Sequence, residues 1–142
     1  MISLLSGINS TAAALDAERI RMDVVSQNIA NVNTTHGPDG KPYQRQQVVF
    51  ASVLRAHQAG ETAATQQVQI ARIEKDTKPP RMVYMPGHED ADDKGMVAVP
   101  DINMSDEMVD MISSSRSYEA NLAVAKNAHT MALAALSIGK HS

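Results

Sequence analysis

The chain contains no cysteine and no tryptophan, has a single phenylalanine, and is only 3% aromatic over its 142 residues. Without Cys there is no disulfide framework, no thiolate zinc site and no Cys nucleophile, although the redox compartment stays open. The scarcity of aromatics leaves Ala and Met to supply much of the 43% hydrophobic content. Small and unbranched apolar residues suit narrow helix–helix seams better than a thick globular core. There is no Lys/Arg cluster with interleaved aromatics and the net charge is -3, so no nucleic-acid partner is expected. No apolar run approaches the roughly 20 residues that a membrane span needs. The opening "MISLLSGINSTAAALDAERIR" has no basic start and no sustained apolar stretch, so no cleaved secretory signal is expected either.

Helical periodicity is what the sequence has in quantity. Met1, Ile8, Leu15, Met22 and Ile29 recur every seven residues, and Leu4, Val25 and Val32 lie on the adjacent heptad track with Thr11 and Glu18. This spacing predicts a helix over about residues 3–32. Near the other end, Met104, Met108, Met111, Ser115, Tyr118, Leu122, Ala125, His129, Ala132 and Leu136 follow alternating steps of four and three. They predict an a/d seam on a helix over 104–138, which at 1.5 Å per residue is roughly 50 Å long. Pro100 blocks any upstream helix, Asn103 or Ser105 can cap, Asp106 and Glu107 put negative charge in the first turn, and Gly139 ends the helix.

Between the helices lies a segment opened by "THGPDGKPY" and closed by "PGHEDADDKG", both rich in turn formers. Strands are expected around Tyr43–Phe50, Val68–Ile73, Met82–Tyr84 and Met96–Val99, with a long loop or hairpin tip over 57–67. The fold class is therefore mainly α with a small β insert. Long N- and C-terminal helices form an antiparallel coiled-coil pair (1–32 with 103–140), and a β-rich outer domain (33–102) stands between them. Seven of the residues from Ala120 to Gly139 are Ala, spread over several helix faces. Such a helix pair is marginal alone and calls for neighbours to cover its other faces.

The segments "SQNIANVNT", "KPPRMVYMPGHEDADDKG" and "GMVAVPDINMSDEMVDMISSSRSYEANLAVAKNAHTMALAALSIGK" resemble the flagellar rod and hook axial family, over roughly two-thirds of the chain. The resemblance implies a structural subunit of the bacterial flagellar proximal rod. It would be exported by the flagellar type III system without a cleaved signal peptide and polymerised helically into a torque-transmitting shaft around the export channel. Terminal helices would form the inner layer and the middle segment an outer domain, within a basal-body rod that spans the periplasm. Implied partners are other copies of the chain, neighbouring rod proteins and the junction protein linking the rod to the membrane ring. The family's assembly motifs fall on Ser26, Gln27, Asn28, Ile29, Ala30, Asn31, Asn33 and Thr34, and on Arg116, Tyr118, Glu119, Ala120 and Asn121. Asp101 stands where family members commonly carry Asn.

With the seam residues Met104, Met108, Met111 and Leu122, these positions make the expected assembly interface. A buried Asn fixes register in coiled coils at a cost in stability. Asn28, Asn31 and Asn121 are accordingly expected to make polar contacts between helices, within or between subunits. For Asn31 and Asn33 a plain helix stop is the competing reading. Asp90, Asp92, Gly95 and Asp101 fall at calcium-loop positions, but Lys94 occupies a ligand position and no helices flank the loop, so a solvated acidic turn is expected. The five histidines share no metal-ligand spacing, and Ser113, Ser114, Ser115 and Ser117 have neither a nucleophile elbow nor an identifiable base. No catalytic residue, metal or cofactor is expected. The alternatives are a small coiled-coil adaptor of a secretion system, or another rod subunit of the same family.

Overall fold

The computed structural model describes the backbone of residues 2–55 and 65–139, and side chains over 7–51 and 70–138. In chain order the elements are α1 (Ile2–Ala30), β1 (Gln46–Arg55), β2 (Thr65–Lys75), β3 (Arg81–Tyr84), β4 (Met96–Val99) and α2 (Met104–Gly139). Neither helix contains proline, and at 29 and 36 residues they extend for about 44 and 54 Å. α2 begins where Asn103 caps it. Its side-chain oxygen accepts from the Ser105 amide at 3.0 Å, and its backbone carbonyl takes the first helical bond, from the Glu107 amide at 3.1 Å. Of the expected loop over 57–67, residues 57–64 lie outside the described residues, and 65–67 open β2.

The strands form two separate antiparallel ladders, β1 with β2 and β3 with β4. Gln46 faces Lys75 and Arg55 faces Thr65, and the register slips by one residue between Val49 and Phe50, so β2 carries a bulge at Ala71. In the second ladder Arg81 faces Val99 and Tyr84 faces Met96. Period-two alternation makes that ladder one-faced: Val97 and Val99 are buried while Met82 and Tyr84 are exposed. At its turn Gly95 adopts φ +74°, and a Cβ there would sit 2.9 Å from a Tyr84 ring carbon and 3.1 Å from the Pro86 Cβ.

α1 packs on α2 and also touches both strands of the first ladder. The buried hydrophobic set among the described residues is thin: Ala17, Val24, Val25, Val97, Val99 and Ile102. The chain exposes 10274 Å², whereas a compact monomer of 15.3 kDa would expose about 7,100 Å².

The helix faces that meet differ from those expected. On α1 the deepest positions are Ala17, Val24, Val25 and Asn28, one residue earlier than the expected tracks except at Val25, with Leu15, Met22 and Ile29 half-buried beside them. On α2 the buried positions are Glu107 and Ser114, and the half-buried ones are Asp110, Met111, Ser115, Ser117, Tyr118, Asn121, Ala125, Ala128 and Ala132. One expected track is present in Met111, Tyr118, Ala125 and Ala132. The other runs through Glu107, Ser114, Asn121 and Ala128, one residue before the expected Met108, Leu122 and His129, which are exposed, while the expected Ser115 is half-buried beside Ser114. Small side chains and paired polar groups let two backbones approach closely. The bulkier Met108 and Leu122 are thereby turned to the flank, 53% and 37% exposed.

Candidate assembly interface

Asn28 of the N-terminal motif is the centre of a polar joint, and it meets the first turn of α2 at Glu107, not the C-terminal motif at 116–121. Asn28 sits in the last turn of α1 and is fully buried. Its amide uses all of its hydrogen-bonding capacity. The nitrogen donates to the Gln46 carbonyl at 2.8 Å and to Glu107 Oε2 at 2.9 Å. The oxygen accepts from the Gln46 amide at 2.9 Å and from the Tyr43 hydroxyl at 3.0 Å. Toward Gln46 the side chain thus acts as a strand edge, offering one donor and one acceptor to the first residue of β1.

Glu107 lies in the first turn of α2 and is 1% exposed. A carboxylate so withdrawn needs partners on both oxygens, and has them: Asn28 on Oε2, and Arg45 Nε donating to Oε1 at 2.6 Å. Arg45 also reaches Asp110 at 3.9 Å, and Asp110 accepts from Arg21 at 3.1 Å. Arg21 lies 4.0 Å from Glu18. Glu18 Oε2 is buried and accepts no hydrogen bond, so Arg21's charge is what compensates it. The Tyr43 phenol is pushed above its ordinary 10.0, first by burial and second by the nearby negative charge of Glu107. It therefore remains a donor to Asn28 over a wider pH range.

The other residues of the N-terminal motif divide by face. Ser26, Gln27, Ala30 and Asn33 are exposed, and Ile29, Asn31 and Thr34 are half-buried. Among the described residues Asn31 makes no hydrogen bond to α2. Its side-chain nitrogen and its backbone amide both donate to the Gln27 carbonyl, at 2.8 and 3.1 Å, and Thr34 donates to its side-chain oxygen at 3.1 Å. Asn31 closes the end of its own helix, because one residue past the last turn its short amide reaches the free carbonyls more readily than it reaches across. In the C-terminal motif Asn121 and Tyr118 are half-buried, while Arg116, Glu119 and Leu122 face outward with Met104 and Met108.

The acidic turn is taken up by its own chain. Asp92 accepts from the Lys94 and Met96 amides, both at 2.8 Å, and Asp90 accepts from Thr35 at 2.7 Å with His36 at 3.5 Å. Tyr43 and Glu107, bonded to Asn28, and Arg45 and Asp110 beyond them, are members of the joint that pattern reading missed. Glu107 reads as a helix-dipole residue, and Tyr43 and Arg45 as ordinary strand alternation. No local signal marks three residues that meet only when 28, 45 and 107 are brought together.

Both ends of the chain match known protein families. Residues 8–38, which carry the Asn28 motif, match the family described as flagella basal body rod protein, and residues 93–138 match the flagellar basal body rod FlgEFG protein C-terminal family. Over 96% of this chain and 98% of the relative, the sequence is 43% identical to the flagellar basal-body rod protein FlgC of Borreliella burgdorferi. It is 40% identical to that of Yersinia enterocolitica, over 98% and 100%, and 38% identical to that of Bacillus subtilis, over 94% and 96%. Similarity of this extent at both ends and through the insert shows that the chain belongs to the FlgC family of flagellar basal-body rod proteins, as a structural subunit of the flagellum and not an enzyme.

Proposed function

We propose that the chain builds the rod by helical polymerisation through its terminal helices. Residues 1–32 and 103–140 act as an antiparallel coiled-coil pair on the inner side, and the insert over 33–102 acts as an outer domain. Support for the antiparallel sense is that Arg21 meets Asp110 while Asn28 meets Glu107, so position rises along one helix as it falls along the other. The observation that carries the polymerisation reading is the uncovered apolar surface of α2: Met104, Met108, Val109, Ile112, Leu122, Val124, Met131 and Leu133 are all exposed. A helix apolar on several sides belongs in a packed environment. Heterologous contacts that do not close on themselves generate an open filament.

In this reading the outward residues of both motifs touch neighbours. These are Ser26, Gln27, Ala30 and Asn33 on one side, and Met104, Met108, Arg116, Glu119 and Leu122 on the other. The half-buried Ile29, Asn31, Thr34, Met111, Tyr118 and Asn121 border both contacts. Partners are further copies, adjacent rod proteins and the junction protein to the membrane ring, and torque passes through these contacts with no chemistry involved. Co-purification of tagged chain with intact basal bodies tests the reading. Stoichiometric recovery in the rod fraction is the expected result, and a chain found only in the soluble fraction would refute it.

A further inference from the structure

We infer that Glu107, Arg45 and Tyr43 are positioning residues which, with Asn28, fix the angle of the first β ladder against the helix pair, making helices and ladder one lever. The inference deepens the rod reading by naming what transmits load from the insert to the helices, but its geometry does not depend on that reading.

Three observations carry it. First, the buried apolar residues lie in α1, β4 and the approach to α2, while Val48, Val49 and Ile70 of the first ladder are only half-buried, so apolar packing alone gives the start of β1 a weak hold and the polar bonds set its direction. Second, those bonds converge. Asn28 grips both backbone groups of Gln46, Tyr43 donates to the same Asn28, and Arg45 donates to the carboxylate that Asn28 also holds. Residues 43, 45 and 46 are thus held in three directions over four positions, which leaves the strand little freedom to swing. Third, the joint spans three distant stretches of chain. The bonds from Asn28 to Tyr43 and Gln46 bridge 15 and 18 residues, while that to Glu107 bridges 79. The local half can form early, and Glu107 completes it only when α2 has docked. Until then Asn28 has a spare donor and Arg45 lacks its carboxylate, so the ladder's angle is settled by the arrival of the second helix. Directional bonds of this kind specify orientation, which an apolar contact does not.

The absence of native cysteine allows a direct test on the full chain with paired spin labels. One pair, at exposed Asp23 and Lys75, reports the ladder against α1, and a second, at exposed Asp16 and Ser113, reports α1 against α2. In Asn28→Leu, Arg45→Leu and Tyr43→Phe variants, the Asp23–Lys75 distance distribution is expected to broaden and shift, most for Asn28→Leu and least for Tyr43→Phe. In Arg45→Leu and Tyr43→Phe, which leave the Asn28–Glu107 bond in place, the Asp16–Ser113 distribution and the helical circular dichroism should stay as in the parent. An unchanged Asp23–Lys75 distribution in the Arg45 and Tyr43 variants would overturn the inference. So would equal broadening of both pairs, which would make these residues general packing elements. Should Asn28→Leu fail to fold, the other two variants decide. Failure of the chain to enter basal bodies would leave this outcome untouched, so the two readings fall separately.

Discussion

Asn28 and Glu107 are 79 residues apart in the chain, and their side chains share a 2.9 Å hydrogen bond in a place from which both are withdrawn from water. The bond ties the last turn of one helix to the first turn of the other. Because each partner is also bonded to the start of β1, losing either one strands buried polar groups on three elements.

Asn28→Ala is therefore expected to cost about 3 kcal/mol, from a small cavity plus the unpaired Glu107 oxygen and Gln46 backbone groups. Urea unfolding followed by circular dichroism measures it. Asn28→Asp should be worse at neutral pH, since it sets a second carboxylate against Glu107 and against the Gln46 carbonyl. Like charge holds the new carboxyl's folded-state pKa above its unfolded value. The protonated form is thus favoured by folding, and stability should recover as pH falls through that raised value. A loss for Asn28→Ala within the range of ordinary surface substitutions would show that the joint carries no stability.

Tyr43→Phe removes one neutral hydrogen bond to Asn28 and is expected to cost about 1 kcal/mol. Its pH dependence is more telling. Burial and the charge of Glu107 hold the phenol above 10.0 in the folded chain, so the folded state keeps the proton that the unfolded state releases. The associated stability is fully present below about pH 10 and is lost as pH rises through the folded value. The parent should therefore lose stability on the alkaline side more steeply than Tyr43→Phe. Parallel alkaline limbs for the two chains would contradict the placement of the phenol beside Glu107.

Much of this architecture is legible from spacing, and the failures have a common cause. Both long helices, the Asn103 cap and the four strand regions follow from periodicity and turn chemistry, because those signals are local. The helix faces follow only in part: the track through Met111, Tyr118, Ala125 and Ala132 is present, whereas the other track on α2 passes through Glu107 and Asn121 and leaves the expected Met108 and Leu122 exposed. Heptad reading assigns bulky apolar residues to the seam. Here the deepest seam positions take Ala17, Val24, Val25, Ser114 and the bonded pair Asn28 and Glu107, and the bulky Met108 and Leu122 face out. Asn28 was legible as a polar contact between helices, whereas Tyr43, which bonds it, and Arg45, which bonds Glu107, were not, since the expected strand over Tyr43–Phe50 reads both as ordinary alternation although β1 begins only at Gln46. Asn31, expected to act like Asn28, is three residues further along and already beyond the helix end.

At the β3–β4 turn, Gly95→Ala tests the second ladder independently of the joint. The φ of +74° already disfavours any L side chain, and the added methyl meets Tyr84 at 2.9 Å and Pro86 at 3.1 Å. Ring movement of the exposed Tyr84 relieves part of the clash, whereas the Pro86 contact and the backbone strain remain. An overall cost of about 2 kcal/mol is expected, seen as a lower Tm with no change in the Asp23–Lys75 distance. A Tm equal to that of the parent would refute it.

The exposed face of α2 gives the sharpest separation between folding and assembly. Met108 and Leu122 are 53% and 37% exposed in the single chain, so Met108→Glu and Leu122→Glu remove little that the chain itself buries. Each is expected to change monomer stability by no more than about 0.5 kcal/mol. A carboxylate placed in a subunit contact, by contrast, must be desolvated without a partner. Rod incorporation and swimming should therefore fall sharply in both variants, and the double variant should abolish them. Glu89, exposed and outside both motifs, provides the control: Glu89→Gln should leave incorporation close to that of the parent. Incorporation of Met108→Glu at the level of the parent would show that this face looks into open space in the rod, and would move the contact to the opposite side of α2, where Val109, Val124 and Met131 stand exposed.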